Sequence, residues 1–96
     1  MAVKILIRRK FKDVDKKDIT AMLIKARSNA MGRKGYISSE TLVSYDTPRV
    51  YLMLSMWQNK EDWDSYRKST VRRDFERDSA ELLDGETEYE VFSMGM

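Results

Sequence analysis

The stretch GYISSETLVSYDTPRVYLMLSMWQNKEDWDSY, Gly35 to Tyr66, decides how the chain folds. Its first half, Gly35–Tyr45, and the run Arg49–Gln58 both carry the β-branched and alternating residues of strands. Between them stands Asp46-Thr47-Pro48, a turn-forming sequence that predicts a hairpin. Asn59 follows, with Asp62 three residues on, which is the signature of a helix N-cap. A short helix is expected over Lys60–Lys68. In the second strand both alternating sets are apolar: Val50, Leu52, Leu54 and Met56 on one side, Tyr51, Met53 and Trp57 on the other. A sheet covered by helices on one face only normally shows a polar opposite face, so the second face is expected to meet another apolar surface. In a short chain the simplest such surface is a second copy, giving a homodimer through the sheet face.

Outward from this segment, Val3, Ile5 and Ile7 alternate with Lys4, Leu6 and Arg8, which predicts a first strand. Asp13 and Asp15 offer caps. Ile19, Met22, Leu23, Ala26 and Ala30 then recur at helical spacing, and Gly32 ends an amphipathic helix over about Lys16–Met31. Beyond the hairpin, Ser69 or Thr70 caps a further helix to about Leu83, with Val71, Phe75, Ser79 and Leu82 or Leu83 expected inside. Gly85 breaks it, and Glu86–Gly95 alternates as a last strand. The order β-α-β-β-α-α-β is that of an α+β, ferredoxin-like antiparallel sheet with helices on one face, and residues 1–96 read as a single domain.

Composition removes several classes of chemistry. Histidine and cysteine are absent from the 96 residues, so the commonest general base, thiolate nucleophiles, disulfides and the usual zinc, haem and iron–sulfur ligands are missing. No metal and no bound cofactor is expected. The net charge of +2 is small for a domain that neutralises many phosphates, so nucleic acid is not an expected partner. Basic runs such as Arg8–Lys12 and the acidic run Ala80–Glu90 read as solvated faces in preference to docking sites. No run approaches the roughly 18 apolar residues of a membrane span, and the start MAVKILIRRK lacks the features of a signal peptide. No membrane association and a cytoplasmic location are the corresponding expectations.

The Gly-aromatic opening of the first hairpin strand (Gly35, Tyr36), a glutamate within it (Glu40), and a strand ending in Trp57 followed by a helix carrying Trp63 resemble antibiotic biosynthesis monooxygenase-like domains. The element order agrees along the whole chain. The resemblance implies a dimeric α+β barrel, in which two four-stranded sheets face each other with helices outside. It also implies a range of activities, from oxygenases of aromatic polyketides and quinols that use no metal or flavin to haem-degrading enzymes. The haem degraders carry a first-strand asparagine and a proximal histidine. Here the strand offers Ile7, Arg8 or Arg9, and there is no histidine, which argues against that branch.

For the cofactor-independent oxygenases the chemistry is the substrate's own. An electron-rich phenol, quinol or anthrone loses a proton and reduces dioxygen, and the protein supplies a dry pocket, hydrogen bonds to the anion and a proton acceptor. Trp63 and Tyr66, three apart on one helix face, are candidates for pocket wall and donor, or else plain core anchors. Asn59 is explained by capping, and the resemblance adds a substrate contact. Glu40, mid-strand among apolar neighbours, is the candidate base, or the partner of a basic residue such as Arg8 or Arg9 in an ion pair, on a neighbouring strand or across the dimer. Arg73 is positioned either to reach over the pocket mouth or to lie on the surface with Arg72 and Arg77, and Trp57 is expected to be structural, facing the pocket or the dimer partner. The expected function is a monooxygenase acting on a small apolar or aromatic ligand. The alternative is a non-catalytic dimeric binding or regulatory module whose pocket is filled by its own side chains.

Overall fold

The computed structural model describes residues 1–95, in the order β1 (Val3–Lys10), α1 (Lys16–Ala30), β2 (Tyr36–Val43), β3 (Val50–Trp57), α2 (Lys60–Arg67), α3 (Thr70–Ser79) and β4 (Glu88–Ser93). The four strands form one antiparallel sheet in the order β2-β3-β1-β4. This is the α+β ferredoxin-like fold that the hydrophobic periodicity predicts. Helices cover one face, where Val3, Ile5, Ile7, Met53 and Trp57 meet Ile19, Met22 and Ala26 of α1, Trp63 and Tyr66 of α2, and Phe75 of α3.

The helix starts follow from local chemistry. Asp15, Asn59 and Ser69 each accept a backbone N–H from the first turn of α1, α2 and α3, satisfying donors that have no partner inside a helix. Gly35, at φ +87°, precedes β2 where α2 packs against it. A Cβ there would lie 2.5 Å from the Cβ of Asp62, so the glycine lets the start of α2 close onto the sheet.

Three expectations are corrected. The third helix ends at Ser79 and tightens into a single 3-10 turn, Ala80–Leu82, instead of running to Leu83. The cause is tertiary: the amide of Lys12 donates to Leu82, that of Asp84 donates to Lys10, and Phe11 bridges Leu83, which draws the chain out of the helix alongside the end of β1. Second, the inner face of α3 is Arg72, Phe75 and Ser79, while Val71 is 45% exposed. Third, Arg72 is not a surface residue: it is 2% exposed and packed inside.

Strand phase carries the decisive detail. Tyr36 pairs with Trp57 and Ser38 with Met56, so β2 carries a bulge at Ile37. Residues paired across strands share a face. Tyr36 therefore lies on the helix-covered side with Trp57, while Glu40, paired with Leu54, lies on the open side. Unbroken alternation would put Tyr36 and Glu40 together. The open side presents Leu6, Leu42, Leu52, Leu54, Met56 and Phe92 with Lys4, Arg8, Glu40, Glu88 and Glu90 among them, as the pairing registers require.

Candidate functional site

The helix-covered side gathers half of the aromatic residues, Tyr36, Trp57, Trp63, Tyr66 and Tyr89, into one nest. Trp57 stacks on Tyr66 with ring centroids 5.4 Å apart, meets Tyr36 edge-on at 5.6 Å, and lies 5.8 Å from Trp63. Trp63 in turn lies 6.1 Å from Tyr89 of β4. Trp57 faces inward and is fully buried, donating its Nε1–H to Ser55 Oγ at 3.2 Å, so it is a wall of the nest and does not face the open side.

At the centre is a narrow cavity of about 10 Å³, room for about one water molecule. Ala26 and Ala30 of α1, Met53 and Trp57 of β3, Trp63 and Tyr66 of α2, and Arg72 of α3 all contribute to its lining. Trp63 Nε1 and Tyr66 Oη are buried and have no hydrogen-bond partner among the described residues. Two buried donors on side chains that line one mostly apolar cavity suit an acceptor oxygen that enters it, because a buried donor left unpaired is costly. On its other side Tyr66 borders an open cleft of about 200 Å³ with Arg33, Lys34, Asp62 and Ser65, and the Arg33 guanidinium lies 5.3 Å from the Tyr66 ring centroid. Tyr66 thus lines both the cleft and the cavity.

The polar flank of the nest comes from residues whose type alone suggests a surface position. Arg72 donates through Nη2 to Tyr89 Oη at 2.9 Å and through Nε to Glu76 at 3.3 Å, and Tyr89 donates its own hydroxyl hydrogen to the same Glu76 oxygen. Burial pushes the Tyr89 hydroxyl above its ordinary pKa; Arg72 opposes that, and the bond to Glu76 adds to it. Burial acts to lower the pKa of Arg72, but Tyr89 and Glu76 outweigh it and the guanidinium is raised. Arg9 of β1 is 2% exposed, and burial first and the repulsion of Arg72 second push it down to about 10. The signals were present in the alternation: Arg9 continues the inward set Val3, Ile5, Ile7, and Arg72 lies three residues before Phe75.

Of the residues singled out by sequence, Trp63 and Tyr66 meet at the cavity. Asn59 does not line it; its Oδ1 accepts the Asp62 amide at 2.9 Å. Arg73 is exposed, and the neighbouring Arg72 takes the inward position. Glu40 is on the far side of the sheet from the cavity, exposed at a shallow depression with Lys4, Ser38, Leu54 and Met56. The full desolvation expected of it is absent in the single chain because the bulge turns it outward. Within the single chain neither arginine named as its partner reaches it: Arg8 pairs with Glu88 at 2.9 Å, and Arg9 faces the helices.

Residues 9–78 match the family model for antibiotic biosynthesis monooxygenase. The chain belongs to that family. Family membership agrees with solved structures of the same fold. SnoaB, a cofactor-independent oxygenase from Streptomyces nogalater, superposes with a TM-score of 0.85 at 10% identity, over 99% of this chain and 94% of that one. Rv0793 from Mycobacterium tuberculosis gives 0.83 at 16%, over 97% and 94%. A conserved protein from Methanosarcina mazei gives 0.77 at 18%, over 96% and 91%. At these identities the likeness between this family member and each of the three is one of fold. No curated protein sequence matches the chain significantly.

Proposed function

We propose that this antibiotic biosynthesis monooxygenase family member is a cofactor-independent monooxygenase that oxidises a small electron-rich phenol, quinol or anthrone with dioxygen. The observation that carries the reading is the pair of buried, unpartnered donors, Trp63 Nε1 and Tyr66 Oη, at one apolar cavity. Both hydrogen-bond the substrate oxygen, and the Arg72 guanidinium beside them favours its anion. Stabilising the anion lowers the substrate's own pKa, so its proton leaves to water as it enters. The carbanion character of the bound anion then reduces dioxygen; one oxygen atom remains in the product as a carbonyl and the other departs as water. Glu40, across the sheet from these donors, has no part in this step.

Entry of a ring requires the cavity to widen, and Tyr66 is the side chain that borders both it and the outer cleft. The small volume favours a second reading, a non-catalytic dimeric module whose pocket is filled by Trp57, Trp63, Tyr66 and Met53. Oxygen uptake with a panel of anthrones and quinols separates the two. The enzyme reading expects turnover in the wild type and a loss of roughly 10²-fold in kcat for Tyr66→Phe, the size of effect seen when one oxyanion donor is removed. Ligand binding without any oxygen uptake across the panel would establish the module instead. In both readings a second copy covers the open sheet face.

A further inference from the structure

Two guanidinium groups, Arg9 and Arg72, are buried against one aromatic ring, and one carboxylate, that of Glu76, acts on both. Both flank the ring of Phe75, at 5.8 and 5.3 Å from its centroid, and each is only 2% exposed. Glu76 is engaged by Arg72, and Tyr89, the other polar neighbour, accepts from Arg72 and donates to Glu76. Arg9 Nη2 has no hydrogen-bond partner, and no ion pair reaches Arg9 among the described residues. At neutral pH Arg9 keeps its charge even with its pKa lowered to about 10. The groups that act on it are Arg72, Tyr89, Glu76 and Tyr66, and they leave one positive charge uncompensated. A contact to an aromatic face offsets only part of the desolvation of a buried cation, and a buried charge is normally paired.

We propose that Arg9 and Arg72 form an internal anion site that holds an anionic oxygen of a small ligand, a phenolate or an aromatic carboxylate, with Arg9 as the binding residue that nothing in the chain itself neutralises. The inference deepens the reading of the interior as a ligand-binding space and rests on it: Arg72 lines the cavity with Trp63 and Tyr66, while Arg9 stands outside that lining against Phe75, so the widening that admits a ring must also reach Arg9.

The test is a titration of the full chain in low-salt buffer near neutral pH, followed by thermal unfolding and by calorimetry. Benzoate, its neutral isostere benzamide, and nitrate are compared at equal ionic strength. Benzoate is expected to raise Tm saturably, by roughly 5 °C or more at about tenfold excess over Kd, and benzamide to leave it unchanged. A matching response to nitrate identifies the occupant as any small planar anion, and a response to benzoate alone assigns the site to an aromatic one. Arg9→Met is expected to raise the Tm of the anion-free protein, because it removes an unpaired buried charge, and to abolish the response. No response of the wild type to either anion overturns the site, as does an Arg9→Met variant that unfolds earlier yet still responds. The wild-type titration decides the matter even if the variant fails to fold. Benzoate binding without turnover of any substrate leaves the anion site standing and removes the oxygenase reading. Turnover without an anion response does the reverse.

Discussion

At the scale of single residues, buried charge and backbone freedom govern this protein. Gly35 stands at φ +87° with its missing Cβ occupied by Asp62. Gly35→Ala incurs the left-handed penalty of about 1–2 kcal/mol together with displacement of α2, and chemical denaturation will register the sum. Asp62→Gly in the same background should recover the steric part only. Tyr89 gives a pH signature. Its folded pKa is raised above the ordinary 10, so the stability linked to it is fully present below about pH 10 and is lost as pH rises toward the folded value. Arg9, whose folded pKa is lowered to about 10, works in the opposite sense above that pH. The difference between wild type and Tyr89→Phe isolates the tyrosine: the variant should lose less stability between about pH 10 and 11. Residue identity alone placed Trp63 and Tyr66 in contention, yet Arg9 and Arg72 looked like surface cations. A guanidinium's usual exposure outweighed the weaker hint of its place in the alternation.

At the scale of elements, caps and phases decide what each segment contributes to the site. Asn59 accepts the Asp62 amide and starts α2, the helix that presents Trp63 and Tyr66. Asn59→Ala should cost about 1 kcal/mol and lower Tm by roughly 4–8 °C, whereas Asn59→Asp keeps an acceptor and should leave Tm close to wild type. The helix boundaries were legible because caps act on residues two or three away. The faces were legible only where strands run unbroken. β1 alternates through its whole length, but the bulge at Ile37 reverses the phase of β2 and turns Glu40 away from the side that Tyr36 enters. Nothing in Tyr36-Ile37-Ser38 announces that extra residue. On α3 Phe75 and Ser79 face inward as the spacing predicts, and only the first turn differs: Val71 is the more apolar candidate, but Arg72 turns inward to donate to Tyr89 and Glu76.

At the scale of the whole molecule, the open sheet face is the apolar surface that the single chain leaves uncovered. Its centre is Leu6, Leu52, Leu54 and Met56, all partly exposed in the single chain. We expect the homodimer to close over it, which would also desolvate Glu40 beside Lys4. Leu54→Glu places an unpaired charge at the centre of that face and should yield a monomer in light scattering, with Tm falling and becoming independent of protein concentration. If the wild type is itself monomeric at micromolar concentration, the apolar face needs another partner. Membrane spanning by a helix is not an option for the described residues, since no helix is long and apolar enough to cross a bilayer.

The sequence by itself determined the element order, the starts of the helices, the two-sided apolar character of β3 and the absence of imidazole and thiol chemistry. These depend on spacing, capping and composition, which act over a few residues or not at all through space. Only the tertiary structure decided that Trp57 faces inward, that Glu40 and Tyr66 lie on opposite sides of the sheet, that Arg9 and Arg72 are both buried against Phe75, and that the cavity beside Arg72 and the tryptophans is narrow. Each of these depends on cross-strand register and on the volume left when side chains distant in sequence pack together, and local periodicity carries no record of either.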